Sequence, residues 1–551
     1  MARPSVEAAL VGVLLGCLGG QLLWGTVSDG MTNDEVLYIS AGYRQVALGD
    51  FRLNPTHPPL APNLAGLGLL GLPLRVPPLV GGQDPLDWCF RFVHVENDAG
   101  LLLRRARVPT AILTLALALL LWAWARSVAG QVAGLAALFL AAFHPSLVAH
   151  GHLATTDVPA AFFTTLAAWA FWRWLQAPGL RRALAAASAL GLAAATRITA
   201  WIAAAVLLTA LLLALRRRGA AVLGRPSLQL LLASVLLVPA WLWAAYGFRD
   251  TPWPDDLMRR PRVAGVAGRL LGAVDAAHVV PAGYVDGVLF QVEHNREGHP
   301  GYLLGERRRT GWWPYPLVAF AVKSTPGFLL ALVVAAVIGR RRAAAPRAAA
   351  GLWLALAVAV FASAAASRIQ IGERYLLPAH ACLILVAAGS APALLARRHG
   401  WLVLAGLGLL HAGPTLAAAP GGTLAYFNAL GGGRLGGHRV LLDSNLDWGQ
   451  DLPRLAGWMR REGIASVQLG YQGADDPARF GIAHEDLPGV HLYPARPPAR
   501  PFEGIVVVSP NLLFGLLPRP GDPYASLRAR PPDARAGVFF VFRMGKAAAG
   551  S

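Results

Sequence analysis

Long apolar runs, separated by short arginine-rich segments, are the feature that most constrains how this chain folds. A helix needs about 20 apolar residues to cross a hydrocarbon core of ~30 Å, and this 551-residue chain is 55% hydrophobic. The runs predict membrane spans at residues 6–27, 108–126, 131–149, 158–176, 183–197, 198–215, 227–247, 314–338, 349–366, 376–395 and 401–418. The sequence therefore predicts a polytopic α-helical membrane protein of about 11 spans.

The first run has an alternative interpretation as a cleaved signal peptide. No clean small-x-small cleavage motif closes it, and many apolar runs follow, so we expect a retained helix. The run over 183–215 is too long for one span and is interrupted by Thr196 and Arg197. It predicts two short helices that turn at Arg197.

Charge placement orients the predicted spans. The chain carries 49 Lys+Arg against 30 Asp+Glu, a net charge of +19. Its arginines do not form the continuous basic surface of a nucleic-acid-binding protein, because they lie between apolar runs, as in cytoplasmic loops. These clusters are Arg181–Arg182, Arg216–Arg218, Arg340–Arg342 and Arg397–Arg398. We therefore expect no nucleic-acid partner. With the N-terminus inside, the isolated acids fall on the outer face.

The soluble segments predict two domains. A transmembrane domain over 1–419 has a first outer loop at 28–106, with interfacial helices, and a second at 249–313. Residues 420–551 predict a small α/β domain on the extracytoplasmic side. A strand, a loop, a helix and a second strand are predicted in this domain by the segment VLLDSNLDWGQDLPRLAGWMRREGIASVQLGY. Further strands are predicted by GIVVVSP and AGVFFVFRM.

Carboxylates at the membrane borders are the first candidate site residues. Asp157 is the only acid between Asp98 and Asp250, and Asp34–Glu35 directly follows the first apolar run. Ionisable groups at the edge of hydrocarbon are costly and mark functional sites. The alternative for Asp34–Glu35 and for Asp157 is capping of a following helix.

The first loop contains a composite motif. Asp34-Glu35-Val36 is followed by Gly49 and Phe51 and then by His57-Pro58-Pro59-Leu60. This pattern resembles the first luminal loop of the protein O-mannosyltransferases, glycosyltransferase family 39. The bacterial aminoarabinose transferases that modify lipid A are similar, usually with Lys-Pro-Pro-Leu. The resemblance implies a GT-C fold, a polyprenyl-phosphate-linked sugar donor, inversion at the anomeric carbon and Asp34 as catalytic base.

Two further segments match these families. Asp157 stands where they place a second acid, and Arg374, Tyr375 and Pro378 match their Arg-Tyr-x-x-Pro segment. The second outer loop has no β-rich insert of the kind found in eukaryotic protein mannosyltransferases. This departure argues against a protein acceptor.

Chemistry assigns roles to the candidate residues. An acceptor hydroxyl needs a base within hydrogen-bond reach, and a departing phosphate needs cations. We expect Asp34 to be the base, with Glu35 and Asp157 as acceptor or sugar contacts. Lys323, in an apolar run beside Pro326, either binds the phosphate or extends to the interface. The residues predicted to bind the substrate or the lipid phosphate are His57, Arg107, Arg197, Lys323, Glu373, Arg374 and Tyr375, with Arg104 and Arg105 as further phosphate candidates.

Two motifs give only weak metal signals. Glu293, His294 and His299 lack well-defined zinc spacing. The segment DSNLDWGQD resembles a calcium loop, but Trp448 replaces its glycine and Arg454 its last glutamate. We therefore expect no metal, and acceptor recognition or helix capping for this segment.

The sequence predicts an inverting glycosyltransferase of a bacterial-type inner membrane that acts at the outer face. Its expected partners are the lipid-linked donor, membrane lipids and an acceptor that is a lipid, a glycan or a protein. No nucleotide-binding motif is present, and we expect no cofactor. The alternatives are a metal-dependent oligosaccharyltransferase-like enzyme, a lipid-linked sugar transporter or flippase, and a non-catalytic envelope assembly protein.

Overall fold

The computed structural model describes residues 6–339, 344–419, 422–489, 501–516 and 521–545. Within them, seven helices are long and apolar enough to cross a membrane, and a bent helix pair raises the number to eight. The prediction of a polytopic helical membrane protein is confirmed, whereas the count of about 11 spans stays a prediction. The predicted inner cluster Arg340–Arg342 lies outside the described residues.

Helices make up most of the first 419 residues. The helices before the second outer loop are α1 (Val6–Ser28), α2 (Asn33–Tyr43), α3 (Leu60–Leu67), α4 (Pro85–Phe90), α5 (Ala99–Ala129), α6 (Gln131–Ala142), α7 (Pro145–His150), α8 (Asp157–Gln176), α9 (Leu180–Thr196), α10 (Ala200–Arg218) and α11 (Ala220–Ala245). Those that follow are α12 (Val266–Ala276), α13 (Ala282–Glu297), α14 (Tyr315–Lys323), α15 (Pro326–Gly339), α16 (Ala344–Ala366), α17 (Leu377–Ala388), α18 (Ala391–Leu395) and α19 (Gly400–Ala418). A short hairpin of β1 (Gly301–Leu303) and β2 (Glu306–Arg308) lies between α13 and α14.

The first outer loop is shorter than predicted. Helix α5 begins at Ala99, so the loop ends at Asp98 and not at residue 106. The Asp98 side chain accepts a hydrogen bond from the Leu101 backbone N–H at 2.9 Å and so caps the helix. Arg104 and Arg105, which fall in the predicted loop, therefore lie on α5, as does Arg107 at the predicted boundary.

Breaks in the helices bring polar residues to the membrane border. The predicted turn at Arg197 is confirmed, because α9 ends at Thr196 and α10 begins at Ala200. The predicted span 131–149 is wrong as one helix, since α6 ends at Ala142 and Pro145 starts α7.

The predicted span 314–338 is also divided. Helices α14 and α15 meet at an angle of 113°. Pro326 begins α15, and its ring leaves no backbone N–H to continue the preceding helix. The bend leaves Lys323 at the end of α14 rather than inside a continuous span.

The transmembrane core is built largely from small and aromatic side chains. Alanines of α6, α8 and α17 are buried where these helices pack closely. Small residues let helix backbones approach in a membrane. Trp124 of α5 and Trp353 of α16 fill the larger spaces and meet edge to face, with ring centroids 5.6 Å apart. The packing fixes α5, α8 and α17 around the polar residues at one end.

The C-terminal segment contains a five-stranded mixed sheet of order β4-β3-β5-β7-β6. Strand β3 is parallel to β4 and β5, and β7 is antiparallel to β5 and β6. The strands are β3 (Val467–Gly470), β4 (His484–Asp486), β5 (Gly504–Val508), β6 (Ala534–Ala536) and β7 (Phe539–Met544). The helices of this segment are α20 (Gly433–Gly436), α21 (Leu452–Glu462), α22 (Pro510–Leu513) and α23 (Ala525–Arg528).

One predicted strand of this segment is wrong. Residues 440–442 form no strand, and Asp443–Asn445 is a single 3₁₀ turn. Asp443 has a left-handed backbone conformation with φ of 60°, which ends the extended run. The turn places the following residues against the helical part of the molecule.

Candidate functional site

Four charged residues from four parts of the chain meet at one end of the helical bundle. Asp34 is in the first turn of α2, Asp157 begins α8, Arg197 lies in the break between α9 and α10, and Arg374 directly precedes α17. We call these four residues and Tyr375 the mouth cluster. Each lies at a helix end or break, where a side chain can leave the hydrophobic packing.

Asp157 holds the two arginines of the mouth cluster. Its Oδ1 accepts a hydrogen bond from Arg197 Nη1 at 2.6 Å, and its Oδ2 lies 3.4 Å from Arg374 Nη1. The same Arg374 nitrogen donates to Asp34 Oδ2 at 2.9 Å. Both guanidinium groups also pack on the Tyr375 ring, at 4.5 and 5.2 Å from its centroid. Asp157 thus fixes the distance between the two cations.

The three predicted carboxylates differ in accessibility. Asp34 keeps 32% of its side chain exposed, whereas Asp157 and Glu35 are fully buried. A base must reach the proton that it accepts. Among these three acids, only Asp34 has access to an incoming molecule.

Arg374 retains an unused donor. Its Nε is buried and has no hydrogen-bond partner among the described residues. Buried donors are rarely left unpaired, and such an atom calls for an explanation. A guanidinium with a free donor can form a charge-assisted hydrogen bond to an anion.

Glu35 and Arg107 form a second, closed arrangement. Arg107 donates to both carboxylate oxygens of Glu35, at 2.8 and 2.7 Å, and neither side chain is exposed. Glu35 also accepts from the backbone N–H groups of Thr32 and Ala154, both at 2.9 Å. Arg107 completes its bonds with backbone oxygens of Thr26, Asp29 and Gly30. The pair joins the start of α2 to α5 and the segment before α8.

Lys323 and Glu373 lie beside the mouth cluster but bind elsewhere. Lys323 Nζ donates to the backbone oxygens of Leu424 and Asn445, both at 2.7 Å. Glu373 Oε1 contacts His380 Nε2 and accepts a hydrogen bond from Ser146 Oγ at 2.9 Å. These two residues therefore anchor the C-terminal segment and the start of α17.

His57 is placed at the wall of the site. Its Nδ1 lies 2.9 Å from Thr56 Oγ1, and its ring meets Tyr38 edge to face at 5.8 Å. Burial and the nearby charges of Arg197 and Arg374 together lower the pKa of His57 to about 3. The imidazole is therefore neutral at pH 7, so His57 offers a hydrogen bond rather than a positive charge.

Two neighbouring spaces lie in order from the mouth cluster. The outer cavity has a volume of about 190 Å³ and is lined by His57, Arg197 and Tyr375 at its polar end. The helix groove has a volume of about 790 Å³ and runs between α10 and α16 towards Arg217 and Arg347. Ile202 lines both spaces. From Ile202 to Arg217 the wall extends about 22 Å at 1.5 Å per residue.

The sequence interpretation missed the contribution of residues 443–448 to this site. The Trp448 ring lies under the Arg374 guanidinium, with 4.1 Å to its centroid. Asn445 Oδ1 accepts the Glu373 backbone N–H at 2.8 Å. Burial raises the pKa of Asp443 to about 7, with a smaller contribution from the charge of Asp34. The motif DSNLDWGQD is visible in the sequence, but nothing in it shows contact with Arg374.

The two weakly predicted metal motifs have other partners. Glu293 is ion-paired with Arg259 at 2.9 Å, while His294 and His299 contact each other at 3.1 Å. In the segment after Asp443, Asp451 is ion-paired with Arg454 at 2.6 Å. Within the described ranges, no group of three or more His, Cys, Asp or Glu side chains is arranged to hold a metal ion.

Three solved structures are among those that the chain matches. ArnT from Cupriavidus metallidurans, bound to undecaprenyl phosphate, has 15% identity and a TM-score of 0.43, covering 97% of each chain. The S. cerevisiae Pmt1-Pmt2 complex has 16% identity and a TM-score of 0.34, covering 45% of this chain and 33% of the other. AglB from Archaeoglobus fulgidus has 13% identity and a TM-score of 0.46, covering 91% of this chain and 62% of the other.

A family model matches part of the chain. Residues 99–243 match the model described as dolichyl-phosphate-mannose-protein mannosyltransferase, and no curated protein matches the chain in sequence. The matched part begins at the first residue of α5, ends within α11 and includes Asp157 and Arg197. The predicted resemblance is confirmed here: from α5 to α11, the chain resembles the dolichyl-phosphate-mannose-protein mannosyltransferases.

Proposed function

We propose that this protein is a GT-C type glycosyltransferase that transfers a sugar from a polyprenyl-phosphate donor to an acceptor hydroxyl. The observation that carries the proposal is that the outer cavity at the mouth cluster and the helix groove share the wall at Ile202. Two arginines and an accessible carboxylate lie at one end of an apolar path about 22 Å long. A long apolar chain with a phosphate at its head matches this combination.

The donor would lie with its isoprenoid chain in the helix groove and its phosphate beside Arg197 and Arg374. The groove walls on α10 and α16 are mainly aliphatic, as an isoprenoid chain requires. Arg197 uses Nη1 on Asp157, and Arg374 Nε has no partner among the described residues. The remaining guanidinium donors are available to phosphate oxygens. The matched family model, whose name specifies a dolichyl-phosphate-linked sugar, includes Asp157, Arg197 and α10.

In the proposed reaction, Asp34 accepts the proton of the acceptor hydroxyl as its oxygen attacks the anomeric carbon. The new bond joins that oxygen to the sugar, and the bond from the anomeric carbon to the phosphate oxygen breaks. The electron pair leaves with the polyprenyl phosphate, where Arg197 and Arg374 stabilise the growing negative charge. A single displacement of this kind inverts the anomeric configuration.

The other predicted residues receive positioning roles in this proposal. Asp157 and Tyr375 orient the two arginines, because both contact Arg197 and Arg374. The closed Glu35–Arg107 pair holds α2, and with it Asp34, against α5. Lys323 and Glu373 hold the segment that places the Trp448 ring against the Arg374 guanidinium. Glu35, Arg107 and Lys323 thus support the site without contacting the donor.

We infer that the mouth cluster and residues 420–551 face the extracytoplasmic side of the membrane. The support is the charge distribution along the helices. Arg217 and Arg347 line the groove end that is remote from the mouth cluster, and Arg126 pairs there with Glu7 near the chain start. Arginine-rich ends face the cytoplasm under the positive-inside rule. The mouth cluster then opens on the opposite side, as lipid-linked donors of cell-envelope synthesis require.

The proposed function is tested with an Asp34→Asn variant and a purified polyprenyl-phosphate sugar donor. An amide cannot take the acceptor proton, so transfer should fall by at least about 100-fold. Binding of polyprenyl phosphate should persist, since both arginines remain. Sugar release would be followed by radiolabel, with envelope lipids and glycans offered as acceptors.

Asp255→Asn is the matched control, because Asp255 is an exposed acid of the second outer loop that is absent from the linings of the outer cavity and the helix groove. It should leave transfer unchanged. If Asp34→Asn turned over at a near-wild-type rate, Asp34 would not be the base. If the wild-type protein bound no polyprenyl phosphate, the donor class would be wrong.

A further inference from the structure

A third space, separate from the helix groove, lies between the two outer loops. This loop cavity has a volume of about 430 Å³, and its walls come from residues 45–59 and from residues 246–256. His57 lines both the loop cavity and the outer cavity. The two spaces thus meet at one side chain beside the mouth cluster.

Three polar atoms of the residues that line the loop cavity are buried and have no hydrogen-bond partner within the described ranges. They are Gln45 Oε1, Asn54 Nδ2 and Thr251 Oγ1. Gln45 and Asn54 are 5% and 2% exposed, so bulk water does not satisfy them. Native folds leave few such groups unpaired. Three such groups on the residues that line one cavity leave hydrogen-bonding capacity for a ligand there.

The chemistry of these atoms narrows the class of ligand. The Gln45 atom accepts, the Asn54 atom donates, and the Thr251 hydroxyl can do both. A ligand that complements all three must offer donors and acceptors close together, which is the property of neighbouring hydroxyl groups. The aromatic side chains of Tyr246 and Trp253 also line the cavity and provide apolar surface for C–H groups.

The charges of the loop cavity do not favour an anion. Asp50, Asp250 and Asp256 line it together with Arg52 and Arg249. Asp50 is ion-paired with Arg52 at 2.9 Å, and Arg249 donates to the Gly49 backbone oxygen at 2.8 Å. The arginines are therefore already engaged, and the three carboxylates outnumber them. A neutral ligand fits this lining better than a phosphate does.

We propose that the loop cavity binds an uncharged, hydroxyl-rich carbohydrate portion of the acceptor and presents one of its hydroxyls past His57 to Asp34. This inference rests on the proposed transferase function and names its acceptor class. The donor lipid and the acceptor would then approach from different spaces and meet at the mouth cluster. His57 would be a positioning residue at their junction.

Binding of simple sugars to purified protein tests the proposal without knowledge of the natural acceptor. The probes are methyl α-D-mannopyranoside and methyl β-D-glucopyranoside, followed by saturation-transfer NMR in detergent. We expect binding of at least one hexoside to the wild-type protein, both with and without added polyprenyl phosphate. Thr251→Val and Asn54→Leu should weaken it by up to about tenfold each, the effect of one lost hydrogen bond.

Thr209→Val is the matched control, because Thr209 lines the helix groove and bonds only its own helix, to Ala205 O. It should leave hexoside binding unchanged. The proposal is overturned if neither hexoside binds, or if Thr251→Val and Asn54→Leu bind as the wild type does. It is also overturned if glycerol 1-phosphate binds in the loop cavity and the hexosides do not. Polyprenyl-phosphate binding, measured on the same samples, reports separately on the proposed transferase function.

Discussion

Asp34 and Glu35 are neighbours in the chain, yet they belong to two different regions. Asp34 is partly exposed in the mouth cluster, where it shares one nitrogen of Arg374 with Asp157. Glu35 is sealed in the protein with Arg107. The helical geometry of α2 explains the difference, since consecutive helical residues point about 100° apart. An acid–arginine pair at a membrane border can therefore serve either chemistry or architecture.

Hydrogen-bond saturation separates the two regions. Arg107 donates through Nε, Nη1 and Nη2 to a carboxylate and to three backbone oxygens. Arg374, by contrast, leaves Nε without a partner in the described part of the chain. A saturated guanidinium has little left to offer a ligand, whereas an unsaturated one does. The comparison predicts that substitutions in the closed pair affect stability and those in the mouth cluster affect binding.

The largest expected effect is the loss of stability when the buried Glu35–Arg107 ion pair is broken. Arg107→Met should destabilise the protein by about 3–5 kcal/mol, because it leaves the Glu35 carboxylate buried and unpaired. Thermal unfolding in detergent would measure the change. The double variant Arg107→Met/Glu35→Gln should recover part of the loss, since it removes the uncompensated charge. Wild-type stability in Arg107→Met, with loss of donor binding alone, would instead return Arg107 to the phosphate site.

The second-largest expected effect is on lipid binding by the mouth cluster. Arg197→Met should weaken polyprenyl-phosphate binding by about 10- to 100-fold, the value of a charge-assisted hydrogen bond. Its stability should stay close to wild type, because Arg374 still pairs with Asp157. Lipid binding would be measured by titration of a fluorescent polyprenyl phosphate. Arg217→Met, at the other end of the helix groove, is the control, and a larger loss there would reverse the orientation of the donor.

Asp443 provides a pH test of the region over the mouth cluster. Burial raises its pKa to about 7, so the folded protein holds a proton that the unfolded chain has lost. Stability should therefore fall as the pH rises from about 4 to 7, by at most about 1.4 kcal/mol per pH unit for one carboxyl. Asp443→Asn should flatten this slope, measured by unfolding temperature against pH. The pKa of Asp447 is raised to about 7 as well, so part of the slope should remain.

The smallest expected effect is that of a chelator. In the proposed mechanism Arg197 and Arg374 neutralise the departing phosphate, so EDTA should leave the transfer rate unchanged. Loss of transfer with EDTA and its recovery on adding Mg²⁺ or Mn²⁺ would favour the metal-dependent oligosaccharyltransferase-like alternative. Transfer of the donor sugar would be measured in both conditions on one preparation.

Much of the transmembrane architecture could be predicted because hydrophobic length and arginine placement are local properties of the chain. The break at Arg197 is one example, since a charged residue interrupts an otherwise apolar run. The start of α5 could not be predicted in the same way. Arg104, Arg105 and Arg107 indicate a loop by composition, while the Asp98 cap and the buried Glu35 partner place them on a helix.

The candidate site, too, could be predicted only in part from the sequence. Asp34, Asp157, Arg197, Arg374 and Tyr375 were predicted from motifs and isolated charges, and the structure places them together. Which acid is accessible was not predictable, because Asp34 and Glu35 differ only in what packs around them. Trp448 lies 74 residues from Arg374 in sequence, and only the tertiary fold brings its ring to the guanidinium. The assigned roles of all these residues stay predictions.

A structure of the protein with bound polyprenyl phosphate tests the central claim most directly. We predict the phosphate within about 3 Å of guanidinium nitrogens of Arg197 or Arg374, with the lipid chain between α10 and α16 and Asp34 open beside the phosphate. A phosphate bound at the opposite end of the helix groove, beside Arg217 and Arg347, would contradict the account. So would a lipid chain that left the helix groove empty.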